Sequence, residues 1–168
     1  MKNDFTENEI KNSIEVQWRK HQIKLNMLIL SVIVGVTVFV PIVIGITDLD
    51  ALKLGIIVWL CYIGLFGLIF GSVSLFYFGK IRYLLKNYQK FASDEVVLDR
   101  VSTSYVYRGA IYYTVTVNCD GASKNVDTNP YFSSHFASKF NCEDFNNKKV
   151  VGLYDEEKNK FYIVKKVD

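Results

Sequence analysis

Two long stretches of this 168-residue chain lack charged side chains. One runs from Leu25 to Thr47 and the other from Leu54 to Gly79. Each exceeds the about 20 helical residues that cross a hydrocarbon core of about 30 Å. Neither stretch has a polar face, which excludes the ordinary amphipathic helix of a soluble domain. The pattern predicts transmembrane helices at residues 23–47 and 52–79.

The sequence also has little that would build an enzyme or metal site. There is no P-loop and no pair of carboxylates in an apolar context. Cys119, His135 and Cys142 lack the tight cysteine knuckle of a structural zinc site. Cys142, His135 and Asp144 can be arranged on paper as a nucleophile, base and orienter, but no flanking signature supports them. We therefore predict no catalytic residue, cofactor or metal, and whether these residues have a chemical role stays open.

Excess positive charge is missing from the C-terminal region. Residues 94–168 hold ten Lys and Arg against eleven Asp and Glu, whereas residues 1–93 hold ten against six. Phosphate binding needs a basic surface. Tyr105, Tyr107, Tyr112 and Tyr113 offer stacking surfaces for bases, but the charge balance argues against a nucleic-acid partner.

A retained helix explains the first apolar stretch better than a cleaved signal peptide does. The stretch is longer than a signal h-region and lacks a small-residue cleavage site. Four acidic residues also precede it, namely Asp4, Glu7, Glu9 and Glu15. The prediction is that the lipid bilayer is a permanent partner.

The short connection between the two stretches, residues 48–53, predicts an antiparallel hairpin with both chain ends on one side. The connection has one cation, Lys53, and the flanks have eight: Lys11, Arg19, Lys20, Lys24, Lys80, Arg82, Lys86 and Lys90. Cations concentrate on the cytoplasmic side. The prediction is a two-pass protein of the bacterial inner (plasma) membrane with cytoplasmic N- and C-termini. Its membrane-interface residues would be Trp18, Arg19, Lys20, Lys80 and Arg82.

The pattern of residues 1–22 predicts an amphipathic juxtamembrane helix. Thr6 and Glu9 form a capping-box pattern. Ile10, Ile14 and Trp18 then recur every four residues on one face. This face favours a membrane anchor, and a partner-binding or membrane-sensing helix is the alternative.

Glycines mark a helix-packing face in the second span, at Gly64, Gly67 and Gly71. Gly67 and Gly71 form a small-xxx-small motif, which lets another helix approach closely. The partner is either the first span, through Ser31 and Gly35, or a second copy in a homodimer. Pro41 predicts a kink in the first span.

Beyond a helical extension at residues 80–93, residues 94–168 show a strand-rich pattern. Short strands are predicted at 95–101, 110–118, 123–128, 148–154 and 160–166, because β-branched and aromatic residues alternate with polar ones between turn signals. Asn129 followed by Pro130 predicts the start of a short helix, with Phe132, Phe136 and Phe140 on one face. The fold class is therefore a membrane α-helical hairpin plus a cytosolic α+β or all-β domain. The strand order is typical of a five-stranded OB-like barrel with one short helix.

The segment from Glu95 to Lys166, with "YYTVTVNCDG" and "KKVVGLYD", resembles the β domains of small bacterial two-helix membrane proteins with NfeD-like architecture. That resemblance implies a membrane-tethered interaction domain, and it brings no catalytic residues with it.

These observations favour a non-enzymatic integral membrane protein whose cytosolic β domain binds another protein at the membrane. The alternative is an immunity or self-protection protein against a bacterial toxin. The residues leave the partner or toxin, the oligomeric state and the biological process open.

Overall fold

The computed structural model describes residues 5–47, 49–100, 110–111, 113–119, 122–129, 131–132 and 147–167. The chain divides into two compact units. Residues 19–81 form the helical unit, and residues 1–18 together with 82–168 form the β unit.

Four α-helices account for most of the N-terminal half: α1 (Glu7–Lys11), α2 (Ile14–Thr37), α3 (Phe39–Thr47) and α4 (Leu49–Asn87), with a 3₁₀ turn at Tyr88–Lys90. Two helical stretches, Glu7–Val43 and Ala51–Lys90, are long and apolar enough to cross a membrane. Only 6% and 0% of their most apolar windows are buried. The predicted pair of long apolar helices is confirmed.

The first apolar stretch is interrupted at Val38, between α2 and α3. The Thr37 hydroxyl donates to the carbonyl of Ile33 at 2.7 Å, a bond back to the preceding turn that often bends helices. Pro41 has no N–H to donate to the carbonyl four residues earlier. The helix assignment is thus interrupted one turn before Pro41, and the kink itself stays a prediction.

The β unit has five strands of six or seven residues and three of two residues. They are β1 (Ala92–Val97), β2 (Asp99–Arg100), β3 (Ala110–Ile111), β4 (Tyr113–Cys119), β5 (Ala122–Thr128), β6 (Tyr131–Phe132), β7 (Lys149–Asp155) and β8 (Lys160–Lys166). The main sheet has the order β1-β7-β8-β5-β4-β2, and β3 pairs with β6 alone. β5 and β8 run parallel, and the other pairs are antiparallel.

The five longer strands form a nearly closed, barrel-like sheet. β1, at one edge, approaches β4, where the Asn118 N–H donates to Oδ2 of Asp94 at 3.2 Å. Tyr113, Val115 and Val117 of β4 are buried, while Thr116 between them is exposed, as the predicted alternation requires. The helical hairpin plus barrel-like domain is therefore confirmed in outline.

The predicted helix start at Asn129 and Pro130 is wrong where the structure describes it. Tyr131 and Phe132 form β6, with Phe132 opposite Ala110. The Nδ2 of Asn129 donates to Oε1 of Glu15 at 3.2 Å. The remainder of the predicted helix, including Phe136 and Phe140, lies outside the described residues.

The N-terminal segment, which comprises α1 and the first residues of α2, packs within the β unit. The predicted capping box is present, because Thr6 accepts from the Glu9 N–H and Glu9 accepts from the Thr6 N–H. Two hydrogen bonds lower the pKa of Glu9. The bond from the Thr6 backbone N–H has the larger effect, and the bond from the Thr6 hydroxyl adds to it. Ile10, Val16 and Trp18 are buried. Much of the apolar face that favoured a membrane anchor is therefore covered by protein.

Candidate functional sites

One hydrogen bond sets the register between the helices of the helical unit. The Trp59 indole N–H donates to Oγ1 of Thr37 at 3.1 Å. The two arms of the hairpin run antiparallel, so residues equally far along the sequence from Thr37 and from Trp59 lie near one level.

The same register places Gln22 level with Ser74, fifteen residues from Thr37 and Trp59 respectively. Gln22 is 8% exposed and Ser74 is 6% exposed. Asn26 lies one turn beyond Gln22 on the same face of α2 and is partly buried. We call Gln22, Asn26 and Ser74 the polar seam.

The three side chains of the polar seam each carry a polar atom that is fully buried. Among the residues that the structure describes, Nε2 of Gln22, Nδ2 of Asn26 and Oγ of Ser74 have no hydrogen-bond partner. Such groups in membrane helices bond across helices or mark functional positions. Sequence reasoning missed the seam, although the i, i+4 spacing of Gln22 and Asn26 beside the first apolar run signals it.

The predicted helix-packing glycines face open space within this chain. A Cβ atom placed on Gly64, Gly67 or Gly71 would meet no atom within 4 Å, and Gly35 is equally open. Among the described residues, the first span therefore does not pack closely against this face. Packing against a second copy stays a prediction.

The predicted membrane-interface residues divide by burial. Trp18 and Arg19 are almost completely buried, whereas Lys20 and Arg82 are exposed. The ammonium of Lys80 lies 4.5 Å from the centroid of the Phe76 ring. Lys20 and Arg82 are therefore the exposed members of the five, and Lys80 is half-buried.

A buried carboxylate, that of Asp155, organises one end of the β unit. Its Oδ2 accepts from the Tyr83 hydroxyl at 2.9 Å and from the Tyr162 hydroxyl at 3.5 Å. Its Oδ1 accepts from the Lys158 N–H at 3.2 Å. The Lys158 ammonium also lies 3.1 Å from the centroid of the Tyr83 ring.

The bonds around Asp155 keep Tyr83 protonated. Burial first, and then the hydrogen bond to Asp155, raise the pKa of Tyr83 to about 12. A carboxylate that accepts three donors is well satisfied. The cluster therefore joins the end of α4 to the turn between β7 and β8, which is a structural role.

A second buried carboxylate, that of Glu15, contacts Asn129 at 3.2 Å. Both residues belong to the β unit. Within the described ranges, no group of three His, Cys, Asp or Glu residues could hold a metal ion. Cys119 lies at the end of β4, and His135, Cys142 and Asp144 lie outside the described residues.

No family model, curated protein or solved structure matches this chain. The resemblance to NfeD-like proteins stays a prediction.

Proposed function

We propose that this chain is a two-pass inner-membrane protein with both termini in the cytoplasm, and that its OB-like barrel binds another protein there. The function is non-enzymatic display of the β unit at the membrane surface.

Exposed apolar surface on the helical unit is the observation that carries the proposal. Leu68 is 75% exposed, Leu75 is 71% exposed and Leu28 is 61% exposed. Soluble monomers rarely expose apolar patches beyond a few hundred Å². A bilayer covers such helices while their backbone groups remain bonded internally.

The β unit is built from both ends of the chain, and this supports the placement of both termini on one side of the membrane. Residues before the first span and after the second pack together, since Lys165 lies 4.0 Å from Glu9. Two flanks that build one folded unit cannot lie on opposite sides of a membrane. The eight flanking cations favour the cytoplasmic side.

A polar face on β4 and β5 supports a protein partner. Three cross-strand side-chain bonds lie along this hairpin: Thr114–Asp127 at 3.0 Å, Thr116–Asn125 at 2.9 Å and Asn118–Ser123 at 2.9 Å. Most of these side chains are exposed. They offer hydrogen-bonding groups in fixed positions without the positive charge that phosphate binding requires.

Cysteine accessibility tests the membrane topology. In a background with Cys61→Ala, Cys119→Ser and Cys142→Ser, a single cysteine is placed at Lys53 or at Val167, both exposed. An impermeant maleimide added to right-side-out vesicles should label Lys53→Cys and spare Val167→Cys until lysis. Labelling of Val167→Cys before lysis would overturn the proposed orientation.

Site-specific photo-crosslinking tests the partner. A photoreactive amino acid replaces exposed Thr116 on the polar face or, as control, exposed Glu156 in the β7–β8 turn. A discrete crosslinked protein should form in intact membranes at Thr116 and be reduced when Asn125→Ala removes the adjacent group. No crosslinked protein at Thr116, or equal yield at both sites, would contradict recognition by this face.

A further inference from the structure

The two membrane flanks of the chain differ in net charge. Before the first span, residues 1–24 hold five Lys and Arg against four Asp and Glu, which leaves a net charge of +1. After the second span, residues 80–93 hold four Lys and Arg and no Asp or Glu, which leaves a net charge of +4. The excess positive charge of the flanks therefore lies almost entirely after the second span.

Three of the cations after the second span are exposed at the end of α4. Arg82 and Lys86 are one turn apart on the helix, and Lys90 follows in the 3₁₀ turn. Leu84, two residues after Arg82 and two before Lys86, is only 1% exposed. Because two residues turn an α-helix by about 200°, the cations lie on the side opposite the one that packs in the β unit. We call Arg82, Lys86 and Lys90 the basic stripe.

No carboxylate pairs with the basic stripe within the part of the chain that the structure describes. Three exposed lysines elsewhere in the β unit do pair with glutamates, at 2.7–4.0 Å: Lys11 with Glu7, Lys149 with Glu95 and Lys165 with Glu9. Like charges one turn apart on a helix repel each other. The helix C-terminus attracts cations within its last turn, so it acts on Lys86 and not on Arg82. An anion from outside the chain would therefore stabilise the stripe.

Distance along α4 indicates the source of that anion. The charge-free run ends at Gly79. Because an α-helix rises about 1.5 Å per residue, Arg82 lies about 4.5 Å and Lys86 about 10 Å further along the axis. A headgroup layer is about 5–7 Å thick, and the Debye length at physiological salt is about 8 Å. In the proposed membrane-inserted state, lipid phosphates are therefore within electrostatic reach of this end of α4.

We propose that the basic stripe binds the headgroups of anionic phospholipids and gives the protein a preference for anionic lipid around its second span. The proposal rests on the proposed membrane insertion and not on the proposed protein partner. The planar guanidinium of Arg82 donates two parallel hydrogen bonds to one phosphate. Lys86 and Lys90 act as point charges on flexible stems and add to the attraction.

Spin-labelled lipids measure this preference in a bilayer. The full-length chain is reconstituted in phosphatidylcholine vesicles with a trace of spin-labelled phosphatidylglycerol or phosphatidylcholine. Electron paramagnetic resonance then gives the fraction of each lipid that is immobilised at the protein. Phosphatidylglycerol should be favoured about fivefold, which is the effect of one cation near an anionic surface. Equal immobilisation of the two lipids would overturn the proposal.

Two triple variants with the same change in net charge make a matched pair. The first neutralises the stripe with residues of good helix propensity: Arg82→Gln, Lys86→Gln and Lys90→Gln. It should reduce the preference to about half or less. The second neutralises three exposed lysines elsewhere in the β unit and should leave the preference unchanged: Lys124→Gln, Lys148→Gln and Lys149→Gln. Equal losses in the two triple variants would show that total charge, and not the stripe, sets the preference.

The salt dependence of the preference is measured on the unsubstituted chain. The preference should fall as salt rises from about 0.1 M to about 1 M, because the Debye length shortens from about 10 Å to about 3 Å. A preference that salt does not change would contradict an electrostatic site. Chloride and inorganic phosphate at equal ionic strength should weaken the preference equally. Stronger weakening by phosphate would assign the stripe to free phosphate and overturn the proposal.

Two further measurements separate the remaining outcomes. A photoreactive amino acid at exposed Gln89, next to Lys90, should crosslink to lipid in intact membranes. A discrete protein adduct in place of lipid would assign the stripe to an acidic protein and overturn the proposal. Flotation with vesicles reports insertion separately, so a chain that floats but shows no lipid preference refutes the stripe proposal alone.

Discussion

The Tyr83 hydroxyl donates a 2.9 Å hydrogen bond to Oδ2 of Asp155, joining residues that lie 72 positions apart. Tyr83 is in the last turns of α4, and Asp155 ends β7. Ring contacts extend this link, since Phe91 packs between Tyr83 and Tyr162 with centroid distances of 6.1 and 5.8 Å. The end of α4, where the second segment of the β unit begins, is thus held to the hairpin of β7 and β8.

Removing either partner should lower the thermal stability of the β unit. Tyr83→Phe loses one bond to a carboxylate and should cost about 1.5–3 kcal/mol. Asp155→Ala removes the acceptor of three hydrogen bonds, one of them buried, and should cost more, about 3 kcal/mol or above. Thermal unfolding of the full chain in detergent measures both, with exposed Glu156→Gln as the control. A double variant that loses the full sum of the two effects would show that the bond contributes nothing.

The stability of the fold at alkaline pH should also depend on the hydrogen bond between Tyr83 and Asp155. The pKa of Tyr83 rises from an ordinary value of 10.0 to about 12 in the fold, so the folded state favours the protonated phenol. Its contribution to stability is complete below about pH 10 and is lost as the pH rises to about 12. The difference in unfolding temperature between the unsubstituted chain and Tyr83→Phe should therefore shrink over that window. A difference that stays constant to pH 12 would contradict the assignment.

Burial of apolar side chains should stabilise the packing of the N-terminal segment in the β unit more than its exposed ion pair does. Ile10 is completely buried, and Ile10→Ala should cost about 2–5 kcal/mol. Lys165 makes an exposed ion pair with Glu9 at 4.0 Å, and Lys165→Ala should cost about 0.5 kcal/mol or less. Limited proteolysis of residues 1–18 and thermal unfolding measure both changes. Equal losses of stability in Ile10→Ala and Lys165→Ala would mean that the ion pair contributes as much as the burial of Ile10.

Gly152 should tolerate no side chain. It lies at a register shift in the pairing of β7 with β8, where a Cβ would collide with the Phe161 ring and the Tyr162 carbonyl oxygen. Gly152→Ala should cost about 1–3 kcal/mol, because the close-packed core must move. Gly64→Ala is the matched control with open space around it. Unchanged stability in Gly152→Ala would contradict the strand pairing at this position.

The helix register predicts a crosslink across the polar seam. In the cysteine-free background, Gln22→Cys with Ser74→Cys should be joined by a short bifunctional thiol reagent, because the helix register places both residues near one level. Gln22→Cys with Leu75→Cys should not, since Leu75 is exposed on another face. Gel mobility without reductant measures both. Equal crosslinking would refute the register.

Local patterns in the sequence predicted much of this fold. Charge-free runs predicted the long helices, and alternation predicted β4, whose Tyr113, Val115 and Val117 are buried. The closing hairpin of β7 and β8 was also predicted, because two apolar runs flank a short polar turn. Each of these signals is complete within a few neighbouring residues.

Contacts between distant residues explain what the sequence could not predict. The pattern at Asn129 and Pro130 is typical of a helix start, but Asn129 bonds Glu15, 114 positions away, and the next residues pair as a strand. The parallel pairing of β5 with β8 has no local signal either. The polar seam needed the helix register, which the hydrogen bond between Trp59 and Thr37 defines.

The discontinuous β unit constrains the order in which the chain folds during synthesis. Residues 1–18 leave the ribosome before the strands against which they pack, and both long apolar helices lie between them in the sequence. Until β8 is complete, the apolar side chains of Ile10, Val16 and Trp18 have no barrel to cover them. The N-terminal segment must therefore stay without its packing partners while the two long apolar helices are synthesised, and its apolar side chains are exposed during that time.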